Sequence, residues 1–141
     1  MVTLFSLARE FPLLGTPPRV YLDFTPSSTA PASPYALVWE KPGGVEAAYY
    51  GGADTVRVSP CLTVYWKPGG TQTAATARRD LALLVREINE RRHAVDTHLD
   101  GVTPYVTGSF QHVMLTPPTP DKSNPGGYYA TLHYTALIHQ I

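Results

Sequence analysis

The residues that could do chemistry in this sequence are one cysteine, Cys61, and five histidines. The densest group is His93–His98 followed by Asp100, which places four possible metal ligands within eight residues. The segment follows a predicted helix, and it lacks both the i,i+4 histidine pair and the spaced Cys/His set of zinc sites. A polar linker, with His93 near the negative end of the helix dipole, is the preferred interpretation. We predict no bound metal and no cofactor.

The other histidines do not form a metal site by spacing either. His133 and His139 fall on one strand face, but six residues span roughly 20 Å along a strand, which is too far for one ion. His112 falls on the apolar face of its predicted strand. There a hydrogen-bonded core or interface histidine is expected.

Cys61 is the one thiol nucleophile available, and His93 or His98 could activate it. However, it lies in the middle of a predicted strand, without a helix N-terminus to favour the thiolate. The sequence contains no Gly-x-Ser-x-Gly elbow, Walker loop or Rossmann glycine motif, and its acidic residues are scattered singly. We therefore expect a structural thiol and no enzymatic activity. A small Cys/His or metal-dependent hydrolase is the less favoured alternative.

The composition excludes several further classes. The 141 residues carry eleven basic and eleven acidic side chains, so no net charge attracts nucleic acid or an anionic membrane. Apolar residues make up 43% and charged residues 16%, which is typical of a folded domain. No apolar run approaches the roughly 20 residues that span a bilayer, and the first ten residues do not resemble a signal peptide. We expect one soluble domain, 1–141, made in a reducing compartment.

The clearest predicted element is a helix from Thr73 to Arg92. Thr73 is a suitable N-cap, and six apolar residues form one stripe at helical spacing. These are Ala74, Ala77, Leu81, Leu84, Val85 and Ile88. Arg79 and Arg86 lie toward the other side, and Arg86 is spaced for an i,i+4 ion pair with Glu90. The helix should therefore lie on a sheet with its charged face outward.

Alternating apolar residues predict strands at 19–24, 35–40, 45–50 and, most clearly, 55–66. In the last of these, one face carries Val56, Val58, Leu62, Val64 and Trp66. The opposite face carries Thr55, Arg57, Ser59, Cys61 and Thr63. Such alternation predicts that one face is buried and the other is wet or covered by a partner. Pro60 interrupts the run, which favours an edge position or a bulge.

The two ends of the chain complete the predicted fold. A short helix is expected at 4–11, followed after the first strand by an extended proline-rich loop at about 25–34. The last residues predict a long hairpin, with strands Tyr105–Thr116 and Tyr128–Gln140 joined by the loop at 116–127. One face of that hairpin should carry Val106, Phe110, Met114, Ala130, Leu132, Tyr134 and Ile138. The prediction is an α+β domain, a mostly antiparallel sheet packed against one long amphipathic helix (about 73–92) and the N-terminal helix.

In this order, the elements resemble the tail terminator (tail-completion) proteins of long-tailed bacteriophages. The resemblance rests on the strand Arg19–Phe24, the proline-rich connection that closes at Ser33–Tyr35 and the strands through Thr55–Trp66. The amphipathic helix and the terminal hairpin follow as in that family, so the resemblance covers nearly the whole chain. The proline-rich insertion at 116–127 and the glycine turn at 51–52 depart from it.

The resemblance implies a structural virion protein of the tail or neck, made in the host cytoplasm. Such a protein forms a ring, expected to be hexameric, that caps the tail tube, stops its polymerisation and joins the tail to the head connector. The implied partners are further copies of the chain, the tail tube protein and the head–tail connector protein. DNA would pass through the lumen without sequence-specific binding. The candidate interface residues are Pro26, Pro31, Arg79, Arg86, Pro117, Pro118, Asp121, Lys122 and Asn124.

Two further alternatives remain at this point. The chain could instead be a head–tail connector component or a tail tube subunit, because these proteins also assemble into rings around a lumen. It could also be a carbohydrate-binding module, which would need an exposed aromatic cluster among Trp39, Tyr49 and Tyr50.

Overall fold

The computed structural model describes residues 8–11, 14–15, 17–22, 33–40, 46–50, 53–67, 73–92, 109–122 and 126–139. Within these ranges the chain forms seven strands and one long helix, so the α+β class is confirmed. The strands are β1 (Val20–Leu22), β2 (Tyr35–Glu40), β3 (Glu46–Tyr50), β4 (Ala53–Val58), β5 (Pro60–Trp66), β6 (Gln111–Pro120) and β7 (Tyr128–His139). The helix, α1, spans Ala74–Glu90.

The seven strands form one mixed sheet. Paired neighbours follow the order β1-β2-β5-β7-β4-β3, and β6 also pairs with β7. The pair of β1 with β2 is parallel and the other pairs are antiparallel. At 12 residues β7 is long enough to pair with β4, β5 and β6, and it therefore holds the sheet together.

Strands β4 and β5 follow one register along β7. Val58 lies opposite Ala136. Three residues later Cys61 lies opposite His133, which is three residues earlier on the antiparallel β7. The two strands are therefore consecutive parts of one strand, interrupted at Ser59. Pro60, which has no N–H to donate, begins the second part. The predicted strand at 55–66 is confirmed, with its irregularity beside the proline.

Helix α1 begins where its N-cap was predicted. The Thr73 side chain accepts a hydrogen bond from the backbone N–H of Thr76 at 3.2 Å. The buried stripe consists of Ala77, Leu81, Leu84, Val85 and Ile88. Ala74 is exposed, so the apolar stripe starts one turn later than predicted. Arg86 and Glu90 form the expected ion pair on the outer face, with Nε and Oε1 3.1 Å apart.

The hydrophobic core lies between α1 and one face of the sheet. Its sheet side consists of Val20, Ala36, Val38, Leu62, Val64, Trp66, Ala130, Leu132 and Tyr134. Fully burying one leucine or valine side chain stabilises the fold by about 1.5–3 kcal/mol. Tyr134 also ties β7 to the helix, because its hydroxyl donates to Asn89 Oδ1 at 3.0 Å. Burial raises the pKa of this tyrosine, which keeps the hydroxyl protonated as a donor.

The first described residues, 8–11, pack against the end of α1. The predicted helix at 4–11 lies mainly outside the described residues, but Ala8, Phe11 and Leu14 belong to the core. Arg91, at the end of α1, has Nη2 2.9 Å from Glu10 Oε2 and lies 5.2 Å from the centre of the Phe11 ring. Glu10 and Phe11 are thus held at the end of the helix by an ion pair and a cation–π contact.

Strand β6 departs from the predicted hairpin in its bounds. It continues through Pro120, so Pro117 and Pro118 belong to the strand and the predicted loop at 116–127 starts too early. The connection is correspondingly shorter, and the Asp121 N–H donates to the Gly127 carbonyl at 2.9 Å across it. Prolines are tolerated here because no other described strand pairs with β6 beyond β7, and an edge strand needs fewer N–H donors. The predicted start at Tyr105 lies outside the described residues.

The register of β6 also corrects one predicted face. His112 lies opposite Tyr134, but Met114 lies opposite His133, because the pairing shifts by one residue between them. The extra residue at this bulge reverses the side on which later residues point. Phe110 packs on Tyr134 as predicted, with ring centres 4.8 Å apart. The prediction that Met114 shares that face is wrong.

Candidate assembly surface

The sheet face turned away from α1 is organised in rows of cross-strand neighbours. The first row is Tyr35, Tyr65 and Tyr129, which lie opposite one another on β2, β5 and β7. Their ring centres are 4.9 Å apart for Tyr35 and Tyr65 and 6.1 Å apart for Tyr65 and Tyr129. Burial first, and then the nearby Asp121 carboxylate, raises the pKa of Tyr35. Burial is also the main cause of the raised pKa of Tyr65, so Tyr35 and Tyr65 stay uncharged at neutral pH.

The second row is a hydrogen-bonded threonine pair. Thr63 and Thr131 are only 3% and 5% exposed, and their hydroxyl oxygens are 2.9 Å apart. The Trp39 indole N–H, from the neighbouring strand, donates to Thr63 Oγ1 at 2.9 Å. These polar groups are therefore satisfied inside the face, as buried polar groups must be.

The third row contains the one cysteine. Cys61 lies between Trp39 on β2 and His133 on β7, and His133 lies opposite Met114 on β6. Cys61 is 1% exposed, and its Sγ is 3.5 Å from His133 Nδ1 and 3.7 Å from the Ser59 carbonyl oxygen. His133 Nε2 is 3.1 Å from Thr116 Oγ1. The predicted partners His93 and His98 lie outside the described residues, as does Asp100.

Sequence reasoning missed the pairing of Cys61 with His133. The signal was present, because both residues fall on the polar face of their predicted strands. Which residues of two distant strands meet depends on the register of β5 against β7, and local spacing does not give that register.

The side chains of this second face are linked to one another by ring contacts and hydrogen bonds. None of the described residues that β2, β5 and β7 place on it is exposed; all are buried or half-buried. The face therefore offers half-buried aromatic rings beside a buried threonine pair.

The exposed apolar surface is concentrated on β6 instead. Val113, Met114 and Leu115 are consecutive and are 57%, 51% and 40% exposed. The strand segment 111–116 contains no charged residue. Since β6 pairs only with β7 among the described strands, its other edge presents backbone N–H and C=O groups. Edge strands of monomeric proteins are normally protected by charges or coverage, so this edge is a candidate contact surface.

Two of the predicted interface segments meet in a groove beside this edge. The groove has a volume of about 410 Å³ and is lined by Ala75, Arg78, Arg79, Ala82, Pro117 and Pro118. It thus brings the Arg79 side of α1 next to the proline end of β6. We call this groove and the segment Val113–Leu115 together the β6 surface.

The remaining predicted interface residues are distributed around it. Arg86 lies two turns further along α1 and is engaged with Glu90. Asp121 is half-buried and Lys122 is exposed, and both follow the end of β6. Pro26, Pro31 and Asn124 lie outside the described residues.

The groove is positively charged on an apolar floor. Arg78 lies 5.9 Å from the centre of the Tyr128 ring, and Arg79 Nε is 3.6 Å from Asp80 Oδ1. None of the described residues that line the groove is acidic. It therefore suits a partner segment that brings a carboxylate and apolar side chains.

Other kinds of site find less support. The described ranges hold no group of three or more His, Cys, Asp and Glu side chains able to bind a metal ion. No helix in this part of the chain is both long enough and apolar enough to cross a membrane. Of the aromatic cluster proposed for carbohydrate binding, Trp39 is half-buried with its N–H bonded to Thr63, and the side chains of Tyr49 and Tyr50 lie outside the described ones.

Comparisons with known proteins find a match at the level of the fold. No protein-family model and no curated protein matches the sequence. Among solved structures, a chain from the virion of a native gene transfer agent (GTA) particle is similar, with a TM-score of 0.59. The match covers 97% of this chain and 92% of that chain at 14% sequence identity. The two chains therefore share a fold over nearly their whole lengths.

Proposed function

We propose that this chain is a structural virion protein that acts as a tail terminator. In this role copies of the chain form a ring, expected to be hexameric, which caps the tail tube, stops its polymerisation and joins the tail to the head connector. The observation that carries the proposal is the fold shared with a gene transfer agent virion chain over 97% of the sequence.

The β6 surface supports assembly. A ring needs two different contact surfaces on each subunit, because each copy contacts its neighbours head to tail. An uncharged, exposed edge strand provides one such surface, since a neighbouring segment can add hydrogen bonds to it. Burial of Val113, Met114 and Leu115 against a neighbour would add apolar contact area.

The prolines of β6 favour tight docking. Pro117 and Pro118 fix their own φ angles, so this end of the strand loses little conformational freedom when a partner covers it. The arginines across the groove then select a partner with complementary charge. We assign this end of the subunit to contacts with the tail tube protein or the head–tail connector protein.

The absence of net charge fits a conduit for DNA. Eleven basic and eleven acidic residues balance, so a ring of this chain would not bind the phosphate backbone tightly at physiological salt. DNA would pass through the lumen without being read or retained.

The experiment that tests the proposal is native mass spectrometry of the purified chain, with a charge placed on the edge of β6. The wild type should form a closed ring, and Val113→Lys should reduce it to monomers, because a lysine on an edge strand opposes pairing. Val113→Thr keeps the β-branched shape without the charge, and the ring should survive in this control. Circular dichroism checks that both variants fold. A wild type that stays monomeric at high concentration, or a ring unaffected by Val113→Lys, would contradict the proposal.

A further inference from the structure

A small cavity lies at the row of the sheet that contains Cys61, His133 and Met114. The cavity has a volume of about 80 Å³ and is lined by Ser59, Cys61, Val113, Met114, His133, Tyr134 and Thr135. It exceeds the roughly 10–15 Å³ that a single water molecule needs. Three of its residues carry a thiol, an imidazole and a thioether, which are the donors that soft metal ions prefer.

The sheet register places these three donors in one row. Cys61 lies opposite His133, and His133 lies opposite Met114. Directly opposed residues have Cβ atoms about 4.5–5.5 Å apart, so side chains of this length reach one another. The β6 bulge determines which residue is the third donor. Without the bulge, the register of His112 with Tyr134 would place Val113 opposite His133. With the bulge, Met114 lies opposite His133.

The distance between the first two donors fits a metal ion between them. An ion about 2.3 Å from sulfur and about 2.0–2.1 Å from nitrogen, with an angle between the tetrahedral and the trigonal value, holds the two atoms about 3.5–3.8 Å apart. Cys61 Sγ and His133 Nδ1 are 3.5 Å apart. The sulfur and nitrogen would therefore need little movement to bind one ion together.

The orientation of His133 is fixed from its other side. Its Nε2 lies 3.1 Å from Thr116 Oγ1. The contacts are satisfied when Nε2–H donates to the threonine oxygen and Nδ1 accepts from the Cys61 thiol. Histidines that bind metals usually donate their other N–H in this way, which aims the free nitrogen at the ion.

The charge of the cavity favours a monovalent ion. None of the described residues that line the cavity is acidic, so the Cys61 thiolate would be the only negative donor among them. A monovalent cation with one thiolate is neutral, whereas a divalent cation would leave a positive charge against a 1% exposed residue. Cu(I) combines that charge with a preference for thiolate, thioether and imidazole.

We propose that Cys61, His133 and Met114 form a binding site for a soft monovalent metal ion of the Cu(I) type. Binding replaces the thiol proton, which is released to solvent, so affinity rises with pH. The site does not depend on the proposed ring function.

The test is an anaerobic titration of the purified chain with Cu(I) in competition with a chromophoric Cu(I) chelator. The wild type should bind one ion per chain, and Cys61→Ser should abolish this binding. Thr116→Val should weaken it by about 10–100-fold, because it removes the partner that orients His133. X-ray absorption of the wild-type complex should show two sulfur neighbours and one nitrogen neighbour.

Two variants of β6 keep the test decisive if Cys61→Ser fails to fold. Met114 is 51% exposed, so Met114→Leu should keep the fold and lose affinity. Val113→Thr, which alters the same cavity without removing a donor, should bind as the wild type does. Equal binding by the wild type and Met114→Leu, retention of binding in Cys61→Ser, or a metal shell with fewer than two sulfurs would each overturn the proposal.

Discussion

Replacing Thr63 with valine tests whether the second face of the sheet is held closed by its own hydrogen bonds. Thr63 Oγ1 meets both Thr131 Oγ1 and the Trp39 indole N–H, each at 2.9 Å. Valine keeps the shape and the strand preference of threonine but removes the shared oxygen. Two polar groups then lose a partner, and one of them, the Thr131 hydroxyl, is on a residue only 5% exposed.

The expected loss follows from that burial. An unsatisfied buried polar group costs about 1–3 kcal/mol, whereas the half-buried Trp39 N–H can turn to water at a smaller cost. We expect Thr63→Val to lower the free energy of unfolding by about 2 kcal/mol. Adding Thr131→Val removes the hydroxyl that Thr63→Val leaves without a partner. The double variant should therefore lose less stability than the sum of the losses of the two single variants.

Urea denaturation of the four proteins in this cycle measures the coupling. Thr135→Val is a matched control, because Thr135 lies on the same strand face but is only half-buried, and its loss should be small. Equal stability of Thr63→Val and the wild type would contradict the role of these hydrogen bonds. Simple addition of the losses of the two single variants would contradict it as well.

Two further changes test other parts of the fold by the same measurement. Thr73→Ala removes the N-cap of α1 and should lower the free energy of unfolding by about 1 kcal/mol. Thr73→Ser keeps a capping hydroxyl, so it should retain most of that stability. Equal stability of all three proteins would contradict the capping role. Burial first, and then the Arg92 charge, lowers the pKa of His112, whose Nε2 is buried with no hydrogen-bond partner among the described residues. The folded state thus binds this proton less readily than the unfolded state, so stability should fall as the pH drops below about 6.5, and His112→Phe should flatten that dependence. An unchanged pH profile in the variant would exclude His112 as its source.

The sequence predicts best what its local spacing determines. The N-cap at Thr73, the stripe of α1 and the strand at 55–66 all follow from residues close together in the chain, where period and side-chain chemistry fix the outcome. The assignment of Cys61 and Thr63 to the face away from the helix is confirmed for the same reason.

The sequence predictions are wrong where the pairing of one strand with another decides the outcome. The bulge between His112 and Met114 inserts a single residue, and no local signal in the sequence marks it. It turns Met114 toward His133 and so determines both an exposed apolar patch and a candidate metal ligand. The prolines of β6 were expected in a loop, because proline usually ends a strand, but an edge strand tolerates them.

For the candidate sites too, the sequence predicts the local features, and the tertiary structure determines which residues meet. Spacing placed Arg79, Pro117 and Pro118 separately, on a helix and in a loop, and the fold brings them to one groove. The predicted faces place Cys61 and His133 on the same side of the sheet. They do not determine the register of β5 against β7, on which the pairing of these two residues depends. Sequence therefore identified the faces, and tertiary structure identified the neighbours.

The copy number of this chain in purified particles tests the central claim most directly. Quantitative mass spectrometry, calibrated against the capsid and tail tube proteins, should find the number of copies that makes one ring, and electron microscopy should place that ring at the end of the tail tube. A copy number that scales with tail length would instead indicate a tube subunit. Absence from the particles would contradict a role in the virion altogether.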